Sequence, residues 1–172
     1  MTSSGSEGRT HIDVVVENEV FQVERELLIK HSIFFSESLA QDKNKNKSKL
    51  KLSGISAETF NILLNYMKTG RLNITAENAS DIFNAALRLH MSDVVKTCIK
   101  MNTDAAPIGD YVLKYSAARR LRLKKEEQQT FNYLTTNFLS VSTTKEFLDI
   151  NVDDLTQIMS AESLGCNREY EV

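Results

Sequence analysis

The sequence predicts an α+β part followed by an all-α part, and three observations carry that reading. The strand-like segments, HIDVVVENEVFQV and KLKL, both fall early in the chain. Helical spacing of apolar residues governs what surrounds and follows them. The one proline, Pro107, sits in NTDAAPIGD and divides a stretch of mixed pattern from a purely helical one.

Each element follows in order. Residues 1–10, MTSSGSEGRT, form a polar leader expected to fray. Val14 to Val16 is a β-branched run, Glu17-Asn18-Glu19 is a polar turn, and Val20, Phe21 and Val23 resume the apolar pattern, which predicts a hairpin. In ERELLIKHSIFFSESLA the residues Leu27, Leu28, Phe34, Phe35 and Leu39 stand at helical separations, interrupted near Ser32, so two short helices are expected. The lysine-rich DKNKNKSKLKL, Asp42 to Leu52, reads as a loop running into a half-buried strand with Lys49 and Lys51 facing water. Ser56 is placed to cap the next helix, with Thr59 where a capping box usually has Glu. Phe60, Leu63, Leu64 and Met67 make its apolar face, and Gly70 ends it. Thr75 is the expected cap of a helix burying Ile82, Phe83, Ala86 and Leu89, and another helix spans about Asp93 to Met101. Beyond Ile108, Tyr111, Tyr115 and Ala118 share one face, and Phe131, Leu134 and Phe138 share another. Phe147, Leu148, Ile150, Leu155, Ile158 and Met159 are assigned to two shorter helices.

Composition narrows the function. The chain has 172 residues, 41% of them apolar, enough to bury a core. Its 21 Lys and Arg against 23 acids give a formal charge of -2, so no whole-protein attraction to nucleic acid or an anionic membrane is expected. Cys98 and Cys166 form no CxxC pair, and neither a signal-peptide core nor an apolar run of membrane-spanning length is present. These features predict a cytoplasmic chain, with the nucleus as a second compartment.

Catalytic, cofactor and metal signatures are not found. His11, His31 and His90 lack a second ligand at metal spacing and read as structural. The six glycines are isolated, so no phosphate-cradling loop is formed. Glu126-Glu127 and Asp153-Asp154 are adjacent on helices and point apart, which suits solvated surface better than an acid/base pair. Cys98, in VVKTCIK, reads as a buried thiol. Two basic clusters, the Asp42–Leu52 stretch and RRLRLKK at Arg119 to Lys125, keep a nucleic-acid reading open but lack stacking aromatics. The expectation is no catalytic residue, no cofactor and no metal.

The order of pieces resembles a BTB (POZ) domain of the kelch-like type. The family's D-V before a hairpin is Asp13-Val14 here; Arg25 and Leu28 match its H-R-x-x-L, with Glu24 in the histidine position. Ser32 and Phe35 match S-x-x-F, with Ile33 in place of the usual proline. Phe60, Leu63, Leu64, Tyr66, Thr69 and Gly70 fit the next segment, where Met67-Lys68 replaces isoleucine-tyrosine, and Asn78, Ala85, Ala86, Leu89 and Met91 fit the one after. The second part is similar to the BACK domain: Asn137, Phe138 and Val141, then Glu146, Phe147 and Leu148, then Glu169 and Val172. The resemblance implies a small mixed sheet flanked by helices at 11–103, followed by the helical 3-box and BACK region at 104–172. No kelch repeats are present, so a fragment of a longer protein is expected.

The resemblance further implies a protein–protein adaptor rather than an enzyme. In the kelch-like family the BTB domain homodimerises and binds the cullin-3 N-terminal region. The 3-box extends that contact, and a separate domain, absent from these residues, presents a substrate for ubiquitination. Carried onto this chain, the cullin-type surface is Phe35, Leu39, Ala40, Asp42, Asn44, Met67, Arg88, His90 and Met91, and the dimer contact is Ile12, Val14 and Val16. Two departures are visible. Cullin-binding members carry a hydrophobic–x–Glu triplet in the loop that here runs from Asp42 to Lys49, where neither an apolar residue nor a glutamate occurs. The polar leader also offers no amphipathic helix before the first strand. Three readings follow: a cullin-3 adaptor, a self-associating scaffold without cullin, and a nucleic-acid-associated factor.

Overall fold

In a computed structural model, which describes residues 10–40, 48–101, 107–162 and 164, the chain forms two compact units, Met1–Val95 and Lys96–Val172. The division falls inside a helix, Ser92–Lys100, ahead of Pro107. The leader up to residue 9, the loop from Asp42 to Lys47, and Cys166, Glu169 and Val172 lie outside the described residues.

The first unit opens with strands β1, His11–Val16, and β2, Glu19–Glu24, an antiparallel hairpin in which Val16 faces Glu19 and His11 faces Glu24. Its two-residue turn is Glu17–Asn18, so Glu19 joins the strand. Glu17 adopts a φ of 53°, the left-handed turn conformation that suits the twist of a tight hairpin. A third strand, β3 at Lys49–Leu52, pairs in parallel with β1, giving the order β2-β1-β3. The expected alternation holds: Lys49 and Lys51 are exposed and Leu52 is buried. Ile12, Val14 and Val16 of β1 and Val23 of β2 face the core.

Helices α1, Arg25–His31, and α2, Ile33–Ala40, are separated by extended Ser32. Helix α3, Ala57–Thr69, has Ser56 as its cap: the Ser56 hydroxyl accepts from the Thr59 N–H at 3.2 Å and donates to the Thr59 hydroxyl at 2.8 Å. A second cap comes from afar, since the Ala57 N–H donates to the Glu17 carboxylate at 3.0 Å. Gly70 closes α3 with a φ of 72°, where a side chain would be strained. Helix α4, Ala79–Arg88, corrects one expectation, because its cap position is Asn78 rather than Thr75. Thr75 instead builds the preceding turn: its N–H donates to the Asn78 side-chain oxygen at 2.7 Å. Both α3 and α4 bury the apolar faces expected of them.

Helix α5, Ser92–Lys100, carries the chain into the second unit, made of α6 (Asp110–Arg120), α7 (Lys124–Thr136), α8 (Phe138–Ser142), a 3-10 turn at Lys145–Asp149, and α9 (Val152–Met159). Its core gathers Tyr111, Val112, Tyr115, Leu134, Val141 and Ile158. The Tyr111 and Tyr133 rings stack at 3.6 Å, and the Lys114 ammonium lies 4.8 Å from the Tyr111 ring centre. Not every apolar residue of the last helices turns inward: Leu148 is 84% exposed and Met159 is 51% exposed.

Candidate interaction surface

Ser32 explains why the S-x-x-F pattern occurs where it does. Its side chain is buried; the hydroxyl donates to the Leu89 carbonyl at 2.5 Å and accepts from the Phe35 N–H at 3.2 Å. One small polar group therefore caps α2 and ties it to the end of α4, fifty-seven residues away. The two elements expected to carry the cullin-type surface are thus fastened to each other.

The end of α4 has its own geometry. The Met91 N–H bonds to the Ala86 carbonyl at 2.9 Å and the His90 N–H to the Leu87 carbonyl at 3.2 Å, the pair of bonds that define a Schellman motif. His90 occupies the left-handed position usually given to glycine, with a φ of 51°, and its side chain is exposed. Met91 then turns into the core. Arg88, exposed on the last turn, donates to the Ser53 carbonyl at 3.0 Å and lies across Gly54. Gly54 has a φ of 70°, and a Cβ there would stand 2.6 Å from the Arg88 guanidinium. The loop after β3 is therefore shaped to receive this arginine.

The expected surface residues divide into three groups. Ala40, Arg88 and His90 are exposed. Phe35, Leu39, Met67 and Met91 are 0% to 4% exposed, so their side chains are core and support the surface from beneath rather than forming it. Asp42 and Asn44 lie outside the described residues. The residues expected at the dimer contact are buried as well. Ile12, Val14 and Val16 point inward from the central strand and are at most 1% exposed, so in the single chain their side chains are core.

In the second unit, one carboxylate of each adjacent acidic pair is buried, against the expectation of solvated surface. Asp154 pairs with Arg119 and holds the helix start at Asn151, whose side-chain oxygen accepts from the Asp154 N–H at 2.9 Å. The sequence signal was the Asn151-x-x-Asp154 spacing, a capping signature. Glu126 is buried with Lys100 at 3.8 Å, a pairing with no local signal. Two residues of the basic run have structural roles: Arg119 also reaches Glu127 at 3.6 Å and packs against the Tyr115 ring, while Arg122 takes the left-handed position that closes α6. Burial pushes the Cys98 thiol up to about 11, as befits the structural thiol expected there. The neighbouring Lys114 ammonium is lowered by its burial. Among the described residues no group of His, Cys, Asp or Glu could hold a metal, and no helix is long and apolar enough to cross a membrane.

Comparison with known proteins places this geometry. Residues 6–105 match the BTB/POZ domain family and residues 112–172 match the BACK family, BTB And C-terminal Kelch. The chain belongs to the BTB–BACK family. Among similar curated proteins are Kelch-like protein 6 of Homo sapiens, 27% identical over 164 residues, covering 95% of this chain and 26% of that protein. Kelch repeat protein C2 of cowpox virus is 27% identical over 154 residues, covering 90% of this chain and 30% of that protein. The chain thus spans 26% to 30% of the length of these relatives. A solved structure, the BTB domain of human Gigaxonin, aligns over 53% of this chain and 75% of its own at 23% identity, with a TM-score of 0.49.

Proposed function

We propose that the chain is a protein-interaction adaptor that binds the cullin-3 N-terminal region as a homodimer. In this role it bridges a ubiquitin ligase to a substrate held by a domain outside these residues. Support comes from the BTB–BACK match across the chain, and above all from the Ser32–Leu89 hydrogen bond of 2.5 Å joining α2 to α4. With that bond, Ala40, Arg88 and His90 form the exposed part of a surface built on a fixed base. Binding is a matter of shape and apolar contact with a polar rim, and the adaptor contributes no chemistry of its own. Self-association is assigned to residues of the first unit other than Ile12, Val14 and Val16, which are committed to the core.

A second reading has its own observation. The segment Asp42 to Lys49 contains no apolar residue that could enter a cullin pocket, and the loss of one buried interface anchor costs about 2 kcal/mol or more. In that reading the chain is a self-associating BTB–BACK scaffold working without cullin. Light scattering on the purified chain, with and without the cullin-3 N-terminal region, separates the two. A dimer that gains the mass of cullin supports the adaptor; a dimer unchanged by cullin supports the scaffold; a monomer in both samples contradicts both.

A further inference from the structure

The second unit holds a cavity of about 680 Å³ whose lining includes Lys100, Tyr111, Lys125, Gln129, Asn132 and Tyr133. Most of these lie on one face of α7, at the i, i+4, i+7 and i+8 positions from Lys125. A helix face meant for packing would be apolar; this one carries a lysine, two carboxamides and a tyrosine. Asn132 accepts a hydrogen bond from Gln128 at 2.8 Å through its side-chain oxygen, so its amide group enters the site as a donor. The stacked Tyr111 and Tyr133 rings add a rigid aromatic wall.

Two cations complete the site. Lys100 comes from the end of α5, its side chain 53% exposed, and faces the buried Glu126 carboxylate at 3.8 Å. At that separation the contact is an ion pair without a hydrogen bond, and Glu126 Oε1 accepts none from any described residue. Among the described residues, the ammonium is positioned by this ion pair. Lys125, exposed on the first turn of α7, brings the second cation, near the positive end of the helix dipole. Lys100, Lys125 and Glu126 together leave the site with one net positive charge.

The geometry points to this cavity as the docking site for a short, extended acidic segment of a partner protein. Its carboxylates meet Lys100 and Lys125, its main chain meets the Gln129 and Asn132 carboxamides, and a flat side chain rests on Tyr133. An open, polar lining suits a peptide better than an apolar small molecule, whose sites are mostly hydrophobic. A nucleic acid would demand a row of free cations, and Arg119 of the nearby basic run is already engaged by Glu127 and Asp154. The inference goes beyond the cullin reading, and its test contains no cullin, so either can fail alone.

Fluorescence anisotropy of the whole chain with a fluorescein-labelled peptide Ser-Glu-Asp-Tyr-Asp-Glu tests it. Expected are saturable binding that weakens with salt, no binding of the same peptide with Lys at each acid, and a loss of about tenfold in Lys125→Glu. Lys100→Gln, which leaves Lys125 in place, should weaken binding as well. Arg120→Glu, at the exposed end of α6, should leave it unchanged, and far-ultraviolet dichroism should match in all variants. No binding, unchanged affinity in Lys125→Glu, equal loss in Arg120→Glu, or tighter binding of an oligothymidine to the same lysines would each overturn the assignment.

Discussion

Ser32 shows how much of this architecture can rest on one hydroxyl. Replacing it with alanine removes the α2 cap and strands the Leu89 carbonyl in the core. We expect Ser32→Ala to lower unfolding free energy by about 2 kcal/mol, read as a reduced urea midpoint at constant slope. The left-handed residues work the other way. His90 and Arg122 hold φ values of 51° and 55° at positions that favour glycine, so His90→Gly and Arg122→Gly should each stabilise by about 1 kcal/mol in thermal melts. Cys98 is a residue whose sequence reading matched its environment: apolar neighbours in VVKTCIK pointed to burial, and burial raises its thiol to about 11. The sign is unfavourable to the thiolate, so at pH 8 iodoacetamide should modify Cys98 about 100-fold more slowly in the native chain than after unfolding, as followed by peptide mass spectrometry.

At the scale of elements, what was legible follows from what is local. The β1–β2 hairpin, β3 and α3 were readable because alternation, capping and apolar spacing lie within a few residues of one another. Glu17 was not, because its role as a cap for Ala57 depends on a contact across forty residues. Glu126 was misread for the same reason, since its partner Lys100 comes from another helix; Asp154 had a local signal in its spacing from Asn151, but its partner Arg119 likewise comes from another helix. The expected surface was legible only in outline. Family position drew attention to α2 and the α4 end, but position says nothing about which side chain of a helix turns inward, and Phe35, Leu39, Met67 and Met91 do. The Arg119–Asp154 pair ties α6 to α9, and breaking it by Asp154→Ala also deletes the 2.8 Å hydrogen bond that the Asn151 side-chain amide donates to the Asp154 carboxylate at the start of α9. A loss of about 3 kcal/mol is expected, with hydrogen exchange accelerated over Val152–Met159 before the rest of the unit.

For the whole molecule, the chain combines a sheet-based unit, on which the proposed cullin contact lies, with a helical unit carrying its own polar cavity. The most direct measure of the adaptor reading is calorimetric titration of the purified chain with the cullin-3 N-terminal region, run alongside Ala40→Arg. Ala40 is exposed at the end of α2, so the substitution alters the surface and leaves the core intact. Binding with a Kd on the order of 10 µM or tighter is expected for the native chain, with at least about a tenfold loss for the variant. No heat from the native chain at that concentration, or equal binding by both, would contradict it.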